Sequence, residues 1–169
     1  GATHGAATRD ANFETNRKGA GDAGIRFGAV HHFDLCRLSG DQAGLFVTTV
    51  PRQKAALPPV VALHFADGCK DRPGREVILS ELNTLLNLIE SHSEKPAVLH
   101  ISKDFDALYQ VSQAVNRTVW LDGNFVPPDY AAKAFVLWTA NDNARVDGLN
   151  GPVDWLVVRP SQVSGEGTK

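Results

Sequence analysis

Residues 57–69, LPPVVALHFADGC, decide how the rest of the chain is arranged. Pro58 and Pro59 end whatever precedes them, since neither donates a ladder hydrogen bond and each fixes its own φ. Residues 60–65 are then a short run of strand formers, and 66–69 hold the Asp and Gly of a turn. A strand therefore runs into a loop at His64. In a barrel of parallel strands the chemistry gathers where such strands end, which puts Ala62, His64, Asp67 and Cys69 on the rim of the working face. Alanine offers no chemistry there. Histidine changes charge near neutral pH, and Asp67 reads as a turn residue.

Downstream, Asp71 and Pro73 open the clearest helix, residues 74–91, in which Ile78, Leu82, Leu85, Leu86 and Ile89 recur at helical spacing and form a stripe that must pack on a sheet. Upstream, Ser39 is placed to cap a helix over 40–50 with Gln42 as its capping-box partner. Residues 25–33 read as a strand carrying His31 and His32 near its far end, and 11–24 as a polar helix stopped by Gly24. After Pro96 the pattern gives a strand over 97–102 containing His100 and a helix over 104–115. Three extended segments follow, 118–121 around Trp120, 135–139 around Trp138 and 153–158 around Trp155, with a polar loop over 141–150. Helix alternating with strand, then strands with little helix between them, predicts an α/β barrel whose last strands are joined by loops. We expect one domain over 1–160 and a disordered tail over 161–169.

The chain has 169 residues, 43% of them hydrophobic, enough for one sizeable core. Its 17 Lys and Arg against 19 Asp and Glu leave a formal charge of −2 with no basic run, which argues against a nucleic-acid partner. No stretch reaches the ~18 apolar residues of a membrane span. The opening GATHGAATRD lacks the parts of a signal peptide, so the expectation is either a cytoplasmic location or export with a signal already removed. Cys36 and Cys69 each follow a strand-like run, and spacing leaves a disulfide and two free thiols both open.

Five segments, ATHGAATRDANF (2–13), GIRFGAVHHFDLCRLSGDQAGLFVTTVPR (24–52), LPPVVALHFADGCKDRPGREVILSELNTLL (57–86), KPAVLHISKDF (95–105) and LWTANDNARVDGLNGPVDWLVV (137–158), resemble in order and spacing the family 25 glycoside hydrolases. These are lysozymes that cut the glycan chain of bacterial peptidoglycan. The resemblance implies an irregular TIM-like (β/α) barrel, a bacterial cell-wall function, a periplasmic or secreted location, and a disulfide between Cys36 and Cys69, a pair common in bacterial members.

The departures from the family pattern fall on its working residues. The strand matching 60–65 ends in Asp-x-Glu in the family, and here these places hold Ala62 and His64. A Lys-Ala-Thr-Glu-Gly segment reads Gly1-Ala2-Thr3-His4-Gly5. The opening strand with its Asp has no counterpart, so an open barrel edge and self-association through it are expected. Val30, His31 and His32 stand for Tyr-His-Phe, His100 for a strand-end Tyr, and Trp138-Thr139-Ala140 for Trp-Gln-Tyr. The late Asp-x-Asn keeps Asp154 but has Leu156 for Asn.

Glycoside hydrolysis generally needs one carboxylic acid and a second carboxylate, or a substrate amide in its stead. The expectation is therefore a lysozyme-like pseudoenzyme that binds peptidoglycan or a protein partner, with His31, His100, Trp120, Trp138 and Asp154 as the binding set. The two tryptophans either stack on sugar or fill core. Two enzyme readings stand beside it. One is a residual muramidase using His64 or Asp154. The other is a metal-dependent hydrolase with zinc held by His4, His31, His64 and His100, because three histidines and an open position make a catalytic zinc site; otherwise no cofactor is expected. His92 reads as an exposed residue favourable to its helix dipole.

Overall fold

The computed structural model describes residues 1–148 and 151–159. Eight strands form one sheet: β1 Thr3–His4, β2 Thr8–Arg9, β3 Val30–His32, β4 Val60–Leu63, β5 Val98–Ile101, β6 Thr118–Asp122, β7 Leu137–Ala144 and β8 Val153–Val158. Their order is β2-β1-β3-β4-β5-β6-β7-β8. Neighbours from β1 through β3 to β7 are parallel, and β2 and β8 turn back antiparallel at the two ends. The helices are α1 Phe13–Asp22, α2 Ser39–Thr49, α3 Arg75–Ser93, α4 Lys103–Tyr109 and α5 Val111–Ala114.

The period of two along each strand sorts residues onto two faces. One register row runs Thr3, His31, Val61, Leu99, Val119, and another Leu63, Ile101, Leu121, Trp138. All of these are buried, and the apolar members belong to one hydrophobic core. The stripe read from the sequence supplies the other side of that core. Ile78, Leu82, Leu85, Leu86 and Ile89 of α3 are all buried, each contributing roughly 1.5–3 kcal/mol of hydrophobic stabilisation. The alternate row runs His4, His32, Ala62, His100, Trp120 and faces away from this core.

Several expected elements have different bounds. The strand expected over 25–33 is a ladder only at Val30–His32. After Gly24, at φ 68°, the chain runs beside the 57–60 segment through just two backbone bonds, Leu57 N–H to Phe27 O and Val60 N–H to Ala29 O. The expected helix over 104–115 breaks at Gln110, which adopts φ 50° between α4 and α5. The expected loop over 141–150 begins as strand, because β7 continues to Ala144 through two register shifts against β8; residues 149–150 and the expected tail over 161–169 lie outside the described residues. On the outer edge of β1, β2 pairs where an open edge was expected.

The expected capping box is absent. Leu38 occupies the N-cap of α2, the Ser39 N–H donates to Glu81 Oε2 at 2.8 Å, and Gln42 turns inward. Cys36 and Cys69, which follow the adjacent strands β3 and β4, are joined as a disulfide. His92 Nε2–H donates to Val50 O at the end of α2, at 2.8 Å, so it staples α3 to α2 rather than standing free.

Candidate functional site

The outward row carries the polar chemistry, and its geometry follows from strand register. Ala62 lies between His32 on β3 and His100 on β5, and Trp120 follows on β6. Two residues further along, on the same faces of β4 and β6, come His64 and Asp122. Ala62 is itself covered, 1% exposed, beneath the larger side chains of its neighbours. The His64 and His100 rings meet edge to face with centroids 4.4 Å apart, and His100 lies flat on Trp120 at 3.9 Å with an 11° interplanar angle. Trp120 is fixed in turn by its Nε1–H, which donates to Thr139 Oγ1 at 2.9 Å.

Asp122 closes the group. Its Oδ1 is 2.7 Å from His100 Nε2, and its Oδ2 is 3.9 Å from His64 Nε2. Its backbone is held by Tyr130, whose hydroxyl accepts from Asp122 N–H at 2.8 Å and donates to Ile101 O at 2.6 Å. The tyrosine thus bridges β5 and β6 just where the ladder ends, and fixes the carboxylate by its main chain.

Electrostatics follow this packing. Burial alone would raise the Asp122 pKa, but the hydrogen bond and charge of His100, the charge of His64 and a bond from Thr139 outweigh it and leave the carboxyl below its usual range. Asp122 is therefore an ionised carboxylate at neutral pH. His64 is shifted down, by burial first and then by His100, with Asp122 and Asp104 opposing. His32 is also shifted down, by desolvation of its ring and then by His4, although much of the residue reaches solvent. This face thus sets two histidines held below the ordinary imidazole range, His32 and His64, beside one anion.

The candidates named from the sequence divide into three groups. His64, His100 and Trp120 come together, with Ala62 beneath them. His4 stands at the row's end, its ring centroid 5.8 Å from that of His32. The others lie elsewhere. His31 is on the opposite face and fully buried, where Thr3 Oγ1 is 2.8 Å from Nδ1 and Gln42 Oε1 is 3.2 Å from Nε2. Trp138 is 8% exposed and fills core. Asp154 is exposed on β8, and among the described residues no ion pair or hydrogen bond joins it to the histidines. The histidine set expected to bind zinc is thus split across the sheet.

Asp122 and His32 were missed as members of this face. Asp122 carries the same signal as Asp67, a carboxylate where a strand meets a turn, here TVWLD before Gly123. For His32 the missing information was parity. One of two adjacent strand residues must point each way, and only the register says which.

Comparison with known proteins agrees with this fold. The family profile described as Glycosyl hydrolases family 25 matches residues 1–149. A solved family 25 glycosyl hydrolase from Bacillus anthracis superposes with a TM-score of 0.80 and 27% identity, over 92% of this chain and 72% of that one. A bacterial lysozyme from Streptomyces coelicolor gives a TM-score of 0.80 at 20% identity, over 95% of this chain and 80% of that one, a likeness of fold. Among curated sequences, the protein named Uncharacterized protein YegX from Escherichia coli strain K12 is 26% identical over 160 residues, 92% of this chain and 56% of the relative. The chain spans about half the length of the curated relatives it matches. With a family match over residues 1–149 and the same α/β fold, this chain belongs to glycosyl hydrolase family 25.

Proposed function

We propose that this domain is a lysozyme-like module that binds peptidoglycan glycan without cleaving it. One observation carries the reading. On the strand that carries the family's acid, Ala62 and His64 stand in place of carboxylates, and the carboxylate beside them, Asp122, is held ionised by His100 and His64. A general acid must hold a proton near the working pH, and a glycosidase needs a second carboxyl group opposite it or a substrate amide acting for it. Asp122 has given up its proton, and the pKa of His64 lies below that of an ordinary histidine, so a proton to deliver is scarce at neutral pH. The same residues suit binding. Imidazoles donate and accept hydrogen bonds with sugar hydroxyls, and the Trp120–His100 stack offers a flat aromatic surface beside them.

The Cys36–Cys69 disulfide supports a location outside the reducing cytosol, in the periplasm or beyond the cell. No helix among the described residues is long and apolar enough to cross a membrane. Co-sedimentation with purified insoluble peptidoglycan tests the binding. The protein should pellet with the polymer and Trp120→Ala should stay largely in the supernatant; an unchanged distribution for Trp120→Ala, or no pelleting of the parent, would contradict the proposal.

A further inference from the structure

The ends of three consecutive strands, β4, β5 and β6, bring His64, His100 and Asp122 into one group, each offering a donor atom within 4.8 Å of the other two. We propose that these three side chains form a binding site for a divalent transition metal, with zinc the ion that suits them best. Two imidazole nitrogens and a carboxylate oxygen are a borderline donor set of the kind that zinc accepts, and zinc leaves a fourth position for water or a ligand oxygen.

The distances suit that ion. Zinc bonds of 2.0–2.1 Å in a tetrahedron place donors about 3.3 Å apart. His100 Nε2 to Asp122 Oδ1 is 2.7 Å and His64 Nε2 to Asp122 Oδ2 is 3.9 Å, so the observed pairs lie on either side of that separation. All three donor atoms lie within 4.8 Å of one another.

A second, independent observation concerns His64 itself. Its Nε2 is buried, yet it has no hydrogen-bond partner among the described residues. A buried polar atom left unpaired costs about 1–3 kcal/mol, so native structures seldom keep one without a use. This nitrogen points at the carboxylate but stands too far away to bond it, which is the position of a ligand atom awaiting a cation between the two. The surroundings are those of a braced site. Trp120 holds the His100 ring flat, Thr139 holds Trp120, and Tyr130 fixes the Asp122 main chain. Such outer contacts orient metal ligands and strengthen their hold.

The His64 and Asp122 side chains are 38% and 39% exposed, so the cluster lies near solvent although the His64 Nε2 atom itself is covered. Binding needs the His100 Nε2 lone pair. The ring proton now shared with Asp122 must therefore move to Nδ1 or leave to solvent, and the cation takes its place between the two groups. The other cluster with suitable residue types, Asp34 with Cys36 and Cys69, has its sulfurs closed in a disulfide. The metal site does not rest on glycan binding and is tested without it.

Zinc chloride titrated by calorimetry into the disulfide-intact protein, after removal of metal by a chelator, should show one equivalent bound. Cobalt(II) in its place should give the visible absorption of a four-coordinate ion. His64→Ala and the isosteric Asp122→Asn, each checked for native circular dichroism, should bind zinc at least ~100-fold more weakly, while His92→Ala should bind as the parent does. No zinc uptake by the parent would overturn the proposal, and so would parental affinity in folded Asp122→Asn.

Discussion

His100 Nε2 lies 2.7 Å from Asp122 Oδ1, across the β5–β6 ladder and two residues beyond the point where His100 pairs with Trp120. That contact sets the character of the whole face. It holds the carboxylate ionised, orients one histidine, and leaves the second, His64, under the same negative charge at 3.9 Å. Removing the charge should be felt at His64. Because Asp122 acts to raise the His64 pKa while burial and His100 lower it, Asp122→Asn should move it further down. An NMR titration of the His64 ring measures this directly, and an upward shift or none would show that the two groups do not interact.

Gly123, next to Asp122, stands where the backbone passes close to Trp138. A Cβ there would stand 2.5 Å from Trp138 Cε3 and 2.7 Å from Val126 O. Neither the ring, packed in the core, nor the main chain can yield easily. Gly123→Ala should therefore destabilise the protein by about 1–3 kcal/mol, the usual cost of overpacking. Urea denaturation reads it as a lower midpoint, and an unchanged midpoint would mean that the 123–126 turn is free to shift.

His31 makes stability depend on pH. Gln42 Nε2 donates to Asp34 O and Arg37 O, which leaves its Oε1 as the acceptor facing His31 Nε2–H, while the Thr3 hydroxyl donates to Nδ1. Both ring nitrogens are satisfied in the neutral form. Burial pushes the His31 pKa from 6.5 down to about 4. The unfolded chain then binds the proton more readily than the folded one, so stability is complete above about 6.5 and falls as pH drops toward 4. The loss through this residue is about 3 kcal/mol. The difference in unfolding free energy between the parent and His31→Asn should shrink by that amount between pH 7 and pH 4. A difference that stays constant with pH would contradict the neutral assignment.

The Cys36–Cys69 bridge closes a loop of sequence separation 33. Chain-entropy arguments give about 3–4 kcal/mol for a loop of that size. Cys36→Ala with Cys69→Ala should lower the unfolding free energy by an amount of that order, read by chemical denaturation under non-reducing conditions. Equal stability of the two proteins would show that the bridge does not constrain the unfolded chain.

The core of this fold was legible because periodicity reports burial. The Ile78–Ile89 stripe on α3 and the runs that became β4, β5 and β6 needed no knowledge of their partners. What depended on pairing was not legible. His31 and His32 are adjacent in sequence, and only the pairing of β3 with β1 and β4 puts one under α2 and the other on the open face. Spacing left the cysteines undecided until the adjacency of β3 and β4 brought their following loops together. Gln42 followed a local rule at Ser39, yet its tertiary partners, the buried His31 and the 34–37 turn, claimed it instead. Asp122 offered a readable signal, a carboxylate at a strand end, but its role rests on His100 and His64, which lie 22 and 58 residues away.

The decisive measurement is the release of soluble muropeptides from purified peptidoglycan, with and without added zinc and beside an active family 25 lysozyme. No release is expected in either condition while the control digests the polymer. Release at a rate comparable with the control would contradict it. It would mean that His64, or a carboxylate away from the Asp122 face, supplies the acid that this geometry does not.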